Sequence, residues 1–472
     1  MRLFLKSPQG PDLGTPNALE IALESHRGRG LHQRQEFNIN GLRSHRPENT
    51  FGSQTYMKNK RVVGYSTILG GKTSKQRVLS AVAFFTFFAV ALNVNAASYY
   101  VATTGSDGNT CTQARSTSTP KRTISNAVGC LVAGDTLYIR QGTYSGIDNN
   151  STFIPSGTSW TNLVTISGYP GEQVVLSGGS TEHGANITRT GTQYISFENL
   201  IFDGFYQSIS LANTVHHIRF KDIEAKNTTL HCVQVGKDSH YNWFIGGKYH
   251  NCGPSTTSGS QGTYGFYVSS SNNIFENLEV YDNAGFGFHF YYTGCSNCVN
   301  NNIVRNSIVY NSSFCGIIFS SGTNNIASNN ILRNNTWSGL CINYNSVSNT
   351  KAYNNTIYGN GNPGIELQGS VNAVIKNNII YQNGGVIAEY STSGTIQSNN
   401  LTTDPKFVNA AGGNFRVQSA SPSINAGTAL AEVATDFDGV ARPQGGAYDI
   451  GAFEYLSGGS TLPAPSNLAV TP

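Results

Sequence analysis

Apolar residues recur as i, i+2 pairs through the second half of this chain: Phe266/Val268, Phe288/Phe290, Ile317/Phe319, Leu340/Ile342, Ile365/Leu367 and Val386/Ala388. Alternate residues of a strand face the same side, so each pair reads as the inward face of one short strand. A glycine precedes each of these pairs, at Gly265, Gly287, Gly316, Gly339, Gly364 and Gly385. Asparagines repeat the same rhythm. Asn277, Asn306, Asn330, Asn355, Asn378 and Asn400 fall roughly 22–29 residues apart, each with an apolar residue one or two places later. A third column follows five residues on, at Asp282, Asn311, Asn335, Asn360 and Asn383. Each unit is thus a turn, a glycine, a short strand, a polar turn, a second strand, an asparagine and a third strand.

Units this short cannot bury an apolar face alone, so they must stack on one another. A leucine-rich repeat would show a leucine consensus and a helical segment, and a propeller blade needs about 40 residues. The pattern fits neither. It predicts an all-β chain folded as a single-stranded right-handed parallel β-helix, a solenoid spanning residues 97–400. At a strand spacing of about 4.8 Å, stacked asparagines would hydrogen-bond up and down a ladder while aliphatic side chains fill the tube.

Composition agrees with a turn-rich β protein: 52 of the 472 residues are Gly and 12% are charged. The net charge of +4 is uneven, because residues 1–96 hold 13 of the 30 Lys/Arg and only 5 of the 26 Asp/Glu. The remainder is near −4, which argues against a nucleic-acid partner that needs a dominant basic surface. Residues Val78–Leu92 form a 15-residue apolar run behind Lys72, Lys75 and Arg77 and ahead of Val94-Asn95-Ala96. That layout predicts a secretory signal peptide in region 57–96, cleaved after Ala96, with no membrane insertion of the mature chain. Residues 1–56 are polar and unpatterned and read as a misassigned or disordered leader. All eight cysteines follow the leader, as expected for an oxidising destination. A disulfide is expected between Cys111 and Cys130, which flank the segment that would cap the first coil. Cys295 and Cys298 read as a loop disulfide or free thiols, and Cys232, Cys252, Cys315 and Cys341 as small buried side chains.

The mature chain opens with YYVATTGSDGN, then RTISNAV and AGDTLYIRQGTY between Tyr99 and Tyr144. Ile124, Ala127, Val128 and Leu131 suit a short amphipathic helix over the open end of the tube. This order resembles the opening of secreted parallel β-helix proteins of the pectate-lyase-like and polysaccharide-lyase-like superfamily. The stretch 401–455, ending Asp449-Ile450-Gly451-Ala452-Phe453-Glu454-Tyr455, resembles the small β module that closes many secreted bacterial β-helix proteins. Its Asp436, Asp438, Asp449 and Glu454 admit a Ca2+ reading or a purely structural one. Residues 456–472 read as a linker. The resemblance implies a monomeric protein whose partner is a polysaccharide, bound on the outer face of the first strand of each coil.

Counting outward positions from the apolar pairs gives one column of Gln234, Tyr267, His289, Ile318, Cys341, Glu366 and Ile387. The neighbouring column is Gly236, Ser269, Tyr291, Ser320, Asn343, Gln368 and Glu389. Tyr267, His289, Tyr291 and Tyr292 therefore gather beside two insertions, Pro254–Thr263 and the Cys295–Cys298 turn. Tyrosine rings suit stacking on pyranose rings, and an imidazole with a pKa of about 6.5 suits general-base work. In β-elimination of a uronic-acid polymer, His289 would take the ring proton, Tyr267 or Tyr291 would protonate the leaving oxygen, and Lys237 or Ca2+ would neutralise the carboxylate. No cofactor is firmly required. The plainer alternative is a solvent-facing histidine that only stacks, as in a glycan-binding surface or adhesin-like protein. A third reading pairs Glu366 with Glu389, about 8 Å apart, as the two carboxyl groups of an inverting glycosidase. Gln234, Asn343, Gln368 and Tyr292 complete the candidate substrate contacts. His231, His240, Lys248, His250 and Arg333 read as scattered surface groups.

Overall fold

The computed structural model describes residues 96–145, 154–253, 262–292, 294, 298–343 and 347–457. The expected leader, nearly all of the signal-peptide region and of the linker, most of the Pro254–Thr263 insertion and Cys295 lie outside these residues. The regular structure of the rest is almost entirely short strands joined by turns, and the only α-helix among the described residues is Ile124–Val128. Among the described residues no helix is long and apolar enough to cross a membrane.

Successive coils pair in parallel to build a right-handed β-helix with three faces. One face is a nine-stranded sheet running from His183–Ile187 through Phe266–Val268 and Phe288–Phe290 to Gly385–Tyr390. The other two faces join in one twenty-stranded sheet, because His216–Lys226 and Trp243–His250 run unbroken round the corner between them. We call these faces the near arm (Gln193–Glu198, Ile274–Glu276, Ile303–Arg305 and their stack) and the far arm (Ile201–Asp203, Glu279–Tyr281, Ile308–Tyr310 and theirs).

The tube interior is largely aliphatic in its first coils, rich in phenylalanine from Phe197 to Phe319, and aliphatic again beyond. Phe197, Phe220, Phe244 and Phe275 stack coil on coil with centroids 5.2, 5.0 and 5.2 Å apart. Phe266 stacks on Phe288 at 4.6 Å. Such contacts contribute about 0.5–1.5 kcal/mol per pair beyond the area they bury. The expected helical cap is present: Ile124, Ala127 and Val128 join the core, and Thr123 caps the helix through Asn126 N.

The asparagine pattern resolves into corners of two residues each. The first residue takes a left-handed conformation, and the second turns its amide inward to bond the next coil. Between near and far arm the left-handed column is Asn277, Asn306, Asn329, Asn354, Asn377 and Asn399. The ladder is the column after it, in which Leu278 N donates to Ser307 Oγ, Ser307 N to Asn330 Oδ1, and then Asn330, Asn355, Asn378 and Asn400 connect in turn. Asn277 and Asn306 are therefore corner residues and not ladder members, a slip of one place from the sequence column. The same slip moves Asp282 and Asn311 out of the third column, whose ladder runs Asn283 to Cys252 N and Ser312, Asn335, Asn360, Asn383. A third ladder, Asn242, Asn273, Asn302 and Asn325, stands at the entrance to the near arm and was not anticipated.

Cys111 and Cys130 are bridged as expected. Cys232, Cys252, Cys315 and Cys341 are buried side chains as read from the sequence, and they are also bridged, Cys232–Cys252 and Cys315–Cys341, with Cα atoms 5.4 and 6.2 Å apart. Stacking brings cysteines of successive turns within bridging distance, which their separations of 20 and 26 residues do not reveal on their own. Cys298 is also disulfide-bonded.

Residues 401–457 do not close the end of the tube. They lie along its flank, against the left-handed corner asparagines: Asn329 Nδ2 donates to Thr435 O, Asn354 Nδ2 to Asp449 O, and Asn377 Nδ2 to Thr428 O. Phe415, Phe437 and Phe453 pack over the far arm at Ile331 and Tyr358.

Candidate functional site

Strand register places Ser210, Gln234, Tyr267, His289, Ile318, Cys341 and Glu366 in one outward column of the nine-stranded sheet. The predicted column is thus observed over six coils. It fails at the last strand, where Glu366 pairs with Ala388, and Leu367 with Glu389. A shift of one residue turns a side chain to the opposite face. Ile387 is consequently an inward residue, and Glu389 occupies a core position at the open end of the tube, where Thr392 and Gln397 bond its carboxylate. Glu366 remains outside, held by Trp337 Nε1 at 2.8 Å and by Ser338. The two carboxyl groups face opposite sides of the wall, which removes the glycosidase pair.

His289 sits beside Tyr267, its partner on the preceding strand, with ring centroids 5.7 Å apart, and is stacked on Tyr291 at 5.2 Å. It does not face solvent. Tyr264 and Phe286 close over it at 4.8 and 5.0 Å, leaving His289 only 9% exposed. These residues precede the strand glycines Gly265 and Gly287, one place before the columns used in the sequence reading. In that same column stands His231, stacked on Tyr264 and Tyr267 at 4.8 and 5.2 Å. A bulky residue directly before the strand glycine was the available signal for this outer layer. Ile318 and the Cys315–Cys341 bridge complete it.

Burial dominates the electrostatics. It holds His289 near a pKa of about 3, with a further downward push from His231, and holds His231 near about 3 as well. Both rings are neutral at working pH. His289 Nε2 lies 3.2 Å from Ser320 Oγ, and its Nδ1 is buried without a partner. Burial also pushes the Tyr264 phenol up to about 12, aided by Tyr267 and Tyr291, and raises Tyr267 against a lowering contact from Ser269. These phenols remain proton donors across the physiological range.

Around this cluster, Tyr291 is fixed through its carbonyl by Ser269 Oγ at 3.0 Å, and Tyr292 by Ser321. Lys237 is exposed, with its ammonium 5.9 Å from the ring of Tyr292, which itself packs against the tube core. Gln234 is bonded to Gln207 at 2.5 Å. Asn343 is buried with its Oδ1 unpartnered, and Gln368 is exposed farther along the sheet.

The basic residues read as scattered are ordered. Lys248 pairs with Glu279 at 3.2 Å on the far arm. His250, Tyr281 and Tyr310 stack there at 4.5 and 5.0 Å, and Arg333 lies over Tyr310 at 4.1 Å. Among the described residues no group of three or more His, Cys, Asp or Glu side chains could hold a metal ion. The C-terminal carboxylates serve their own turns instead. Asp436 accepts from Val440 N, Asp438 N and Glu454 N, Asp449 from Asn425 N and Tyr455 N, and Glu454 from the buried Arg442 at 2.6 Å. Asp438 pairs with Arg416 at 2.7 Å.

Fold and site together define the class: a right-handed parallel β-helix carrying a histidine–tyrosine cluster on its nine-stranded sheet. The family model for the right-handed beta helix region matches residues 297–425. Pectate lyase Pel9A is similar in structure, with a TM-score of 0.54 and 19% identity over 76% of this chain and 96% of that one. A glycoside hydrolase is similar at a TM-score of 0.51 and 10% identity, over 65% and 96% of the two chains. The A-module of the Azotobacter vinelandii mannuronan C-5 epimerase AlgE6 gives 0.40 and 17%, over 57% and 91%. No curated protein sequence matches this chain.

Proposed function

We propose that this is a secreted carbohydrate-active protein, and that it cleaves a uronic-acid-containing polysaccharide by β-elimination. One observation carries the reading: His289, Tyr267 and Tyr291 are in ring contact on the outer face of the nine-stranded sheet, with Lys237 against the neighbouring Tyr292. Glycan-acting proteins among the structural neighbours support the coarse class, and the disulfides with the apolar run Val78–Leu92 support export.

In this scheme Lys237 neutralises the substrate carboxylate and thereby acidifies the adjacent ring proton. His289 removes that proton through Nδ1 once substrate displaces the covering Tyr264 or Phe286, while Nε2 is held by Ser320. The electron pair forms the C4=C5 double bond, the C4–O bond breaks, and a tyrosine phenol, Tyr267 or Tyr291, protonates the departing oxygen. A free-protein pKa of about 3 makes His289 a weak base. An anionic ring docked beside it favours the imidazolium and raises that value, so basicity develops with substrate bound.

Incubation with polygalacturonate, alginate, chondroitin sulfate and heparin should release products that absorb in the ultraviolet from one of the four. His289→Ala should lower kcat by about 100-fold or more. The deep burial of His289 favours a second reading, in which the cluster only shapes a glycan-binding surface. Retention on a glycan column with no product from any of these polymers would select it and reject the lyase.

A further inference from the structure

Every later corner at the entrance to the near arm uses asparagine or glycine as its left-handed residue: Asn272, Asn301, Asn324, Asn349, Asn372 and Gly394. Three successive earlier coils place Tyr194, His217 and Tyr241 there, at φ of 53°, 56° and 58°. Bulky residues are disfavoured in this region, and strain of this kind persists where the surroundings over-determine it. The three rings form a continuous stack, with centroids 4.8 and 5.1 Å apart. Trp160 leans on the stack edge-on, 5.8 Å from Tyr194 and 5.6 Å from His217, and meets Trp243 at 6.1 Å.

The platform is built and rigid. Trp160 is presented by a tight turn in which Thr158 N bonds Asn162 O and Gly157 N bonds Tyr194 O. Trp243 is oriented by Glu276 at 3.0 Å, whose charge is in turn paired with Arg305. Tyr241 ends the stack, since the next coil offers only Asn272, and is 50% exposed; Trp160 is 38% exposed. Beyond Tyr241 the same edge continues as amides, with Asn301 Nδ2 donating to Asn272 Oδ1 and Asn324 Nδ2 to Asn301 Oδ1.

We infer that this edge is a second glycan-binding site, separate from the His289 face, that takes the pyranose rings of a neutral polysaccharide. Aromatic faces meet the C–H face of a sugar ring, while imidazole and amide groups serve its hydroxyls. Neutral sugars fit because the charges bounding the platform, Glu276 with Arg305 and Glu198 with Arg219, already neutralise one another. Burial also lowers the pKa of His216 and His217, whose Nδ1 atoms lie 2.7 Å apart, keeping the pair from double protonation. The choice of a sugar as ligand rests on the proposed function, yet the site itself does not depend on turnover at His289.

Affinity gel electrophoresis of the full chain in xylan, mixed-linkage β-glucan and galactomannan tests it. The protein should be retarded by at least one of them, and Trp160→Ala and Tyr241→Ala should each weaken that retardation about tenfold or more. Tyr241→Asn restores the residue type of the later corners, so it should keep or raise Tm while losing binding. His289→Ala should bind the neutral glycan as the parent does. No retardation by any of the three, or unchanged retardation in the Trp160 and Tyr241 variants, overturns the site. Product release from acidic polymers is unaffected by either outcome, so failure here and failure of the lyase reading are distinguishable.

Discussion

At the scale of single residues, His231 and His289 show how stacking converts surface positions into buried ones. Both belong to outward columns, yet tyrosine and phenylalanine side chains from adjacent coils close over them. Folding holds both imidazoles near a pKa of about 3, against about 6.5 in the unfolded chain. Below pH 6.5 the unfolded chain therefore binds protons that the folded chain refuses. Stability contributed by these groups is complete above that pH and is lost as pH falls towards 3. Each withdraws up to about 1.4 kcal/mol per pH unit across that window. His231→Phe should keep the ring stack and flatten the acid limb of Tm measured against pH. An unchanged acid limb would show that other groups govern it. Asp436 has the opposite sign: burial raises it to about 6, so its protonation on acidification favours the folded module.

At the scale of the element, the repeating piece is the corner, and its code is the dipeptide Asn-Asn. The first asparagine accepts the left-handed conformation, and the second supplies an amide that satisfies backbone groups of its own tube and of the next coil. Asn355 illustrates the second role. It is fully buried, accepts from Asn330 N at 3.0 Å, and donates to Ala327 O at 2.9 Å and Asn378 Oδ1 at 3.0 Å. Asn355→Ala should cost about 2–3 kcal/mol in urea unfolding, because it strands buried donors and acceptors. Asn301→Gly, at an exposed left-handed position, should change stability by about 0.5 kcal/mol or less. The repeat itself was readable from the spacing of Asn330, Asn355, Asn378 and Asn400. The one-place slip at Asn277 and Asn306 was not, because both columns contain asparagine and only hydrogen-bond direction separates them. The Asn-Asn doublets at 329–330, 354–355 and 377–378 carried the correct register.

At the scale of the whole molecule, the flank matters as much as the tube. The C-terminal module lies along the corner column, so it bounds the far arm and leaves the end of the stack to Glu389 and Gln397. Its anchor is Arg442, a fully buried guanidinium paired with Glu454 and bonded to Asn329 Oδ1, Gly451 O and Asp449 O. Removing one partner of such a pair leaves an uncompensated buried charge, at a cost of about 3–5 kcal/mol. Arg442→Met should therefore release residues 401–457 to limited proteolysis while the β-helix keeps its circular dichroism. Resistance to proteolysis equal to that of the parent would contradict this anchoring role.

The sequence by itself determined the architecture: short inward pairs, a period and corner asparagines leave few folds that bury the pairs and satisfy the backbone. It also placed Tyr267, His289 and Tyr291 together, since register in a stacked tube follows from counting. Only the tertiary structure decided which groups face water. Whether His289 is covered, whether Glu366 and Glu389 share a face, and whether Trp160 meets Tyr194, His217 and Tyr241 depend on side chains from different coils and on single-residue shifts in register. Periodicity is a local property and survives such shifts; a site is a set of distances between coils and does not.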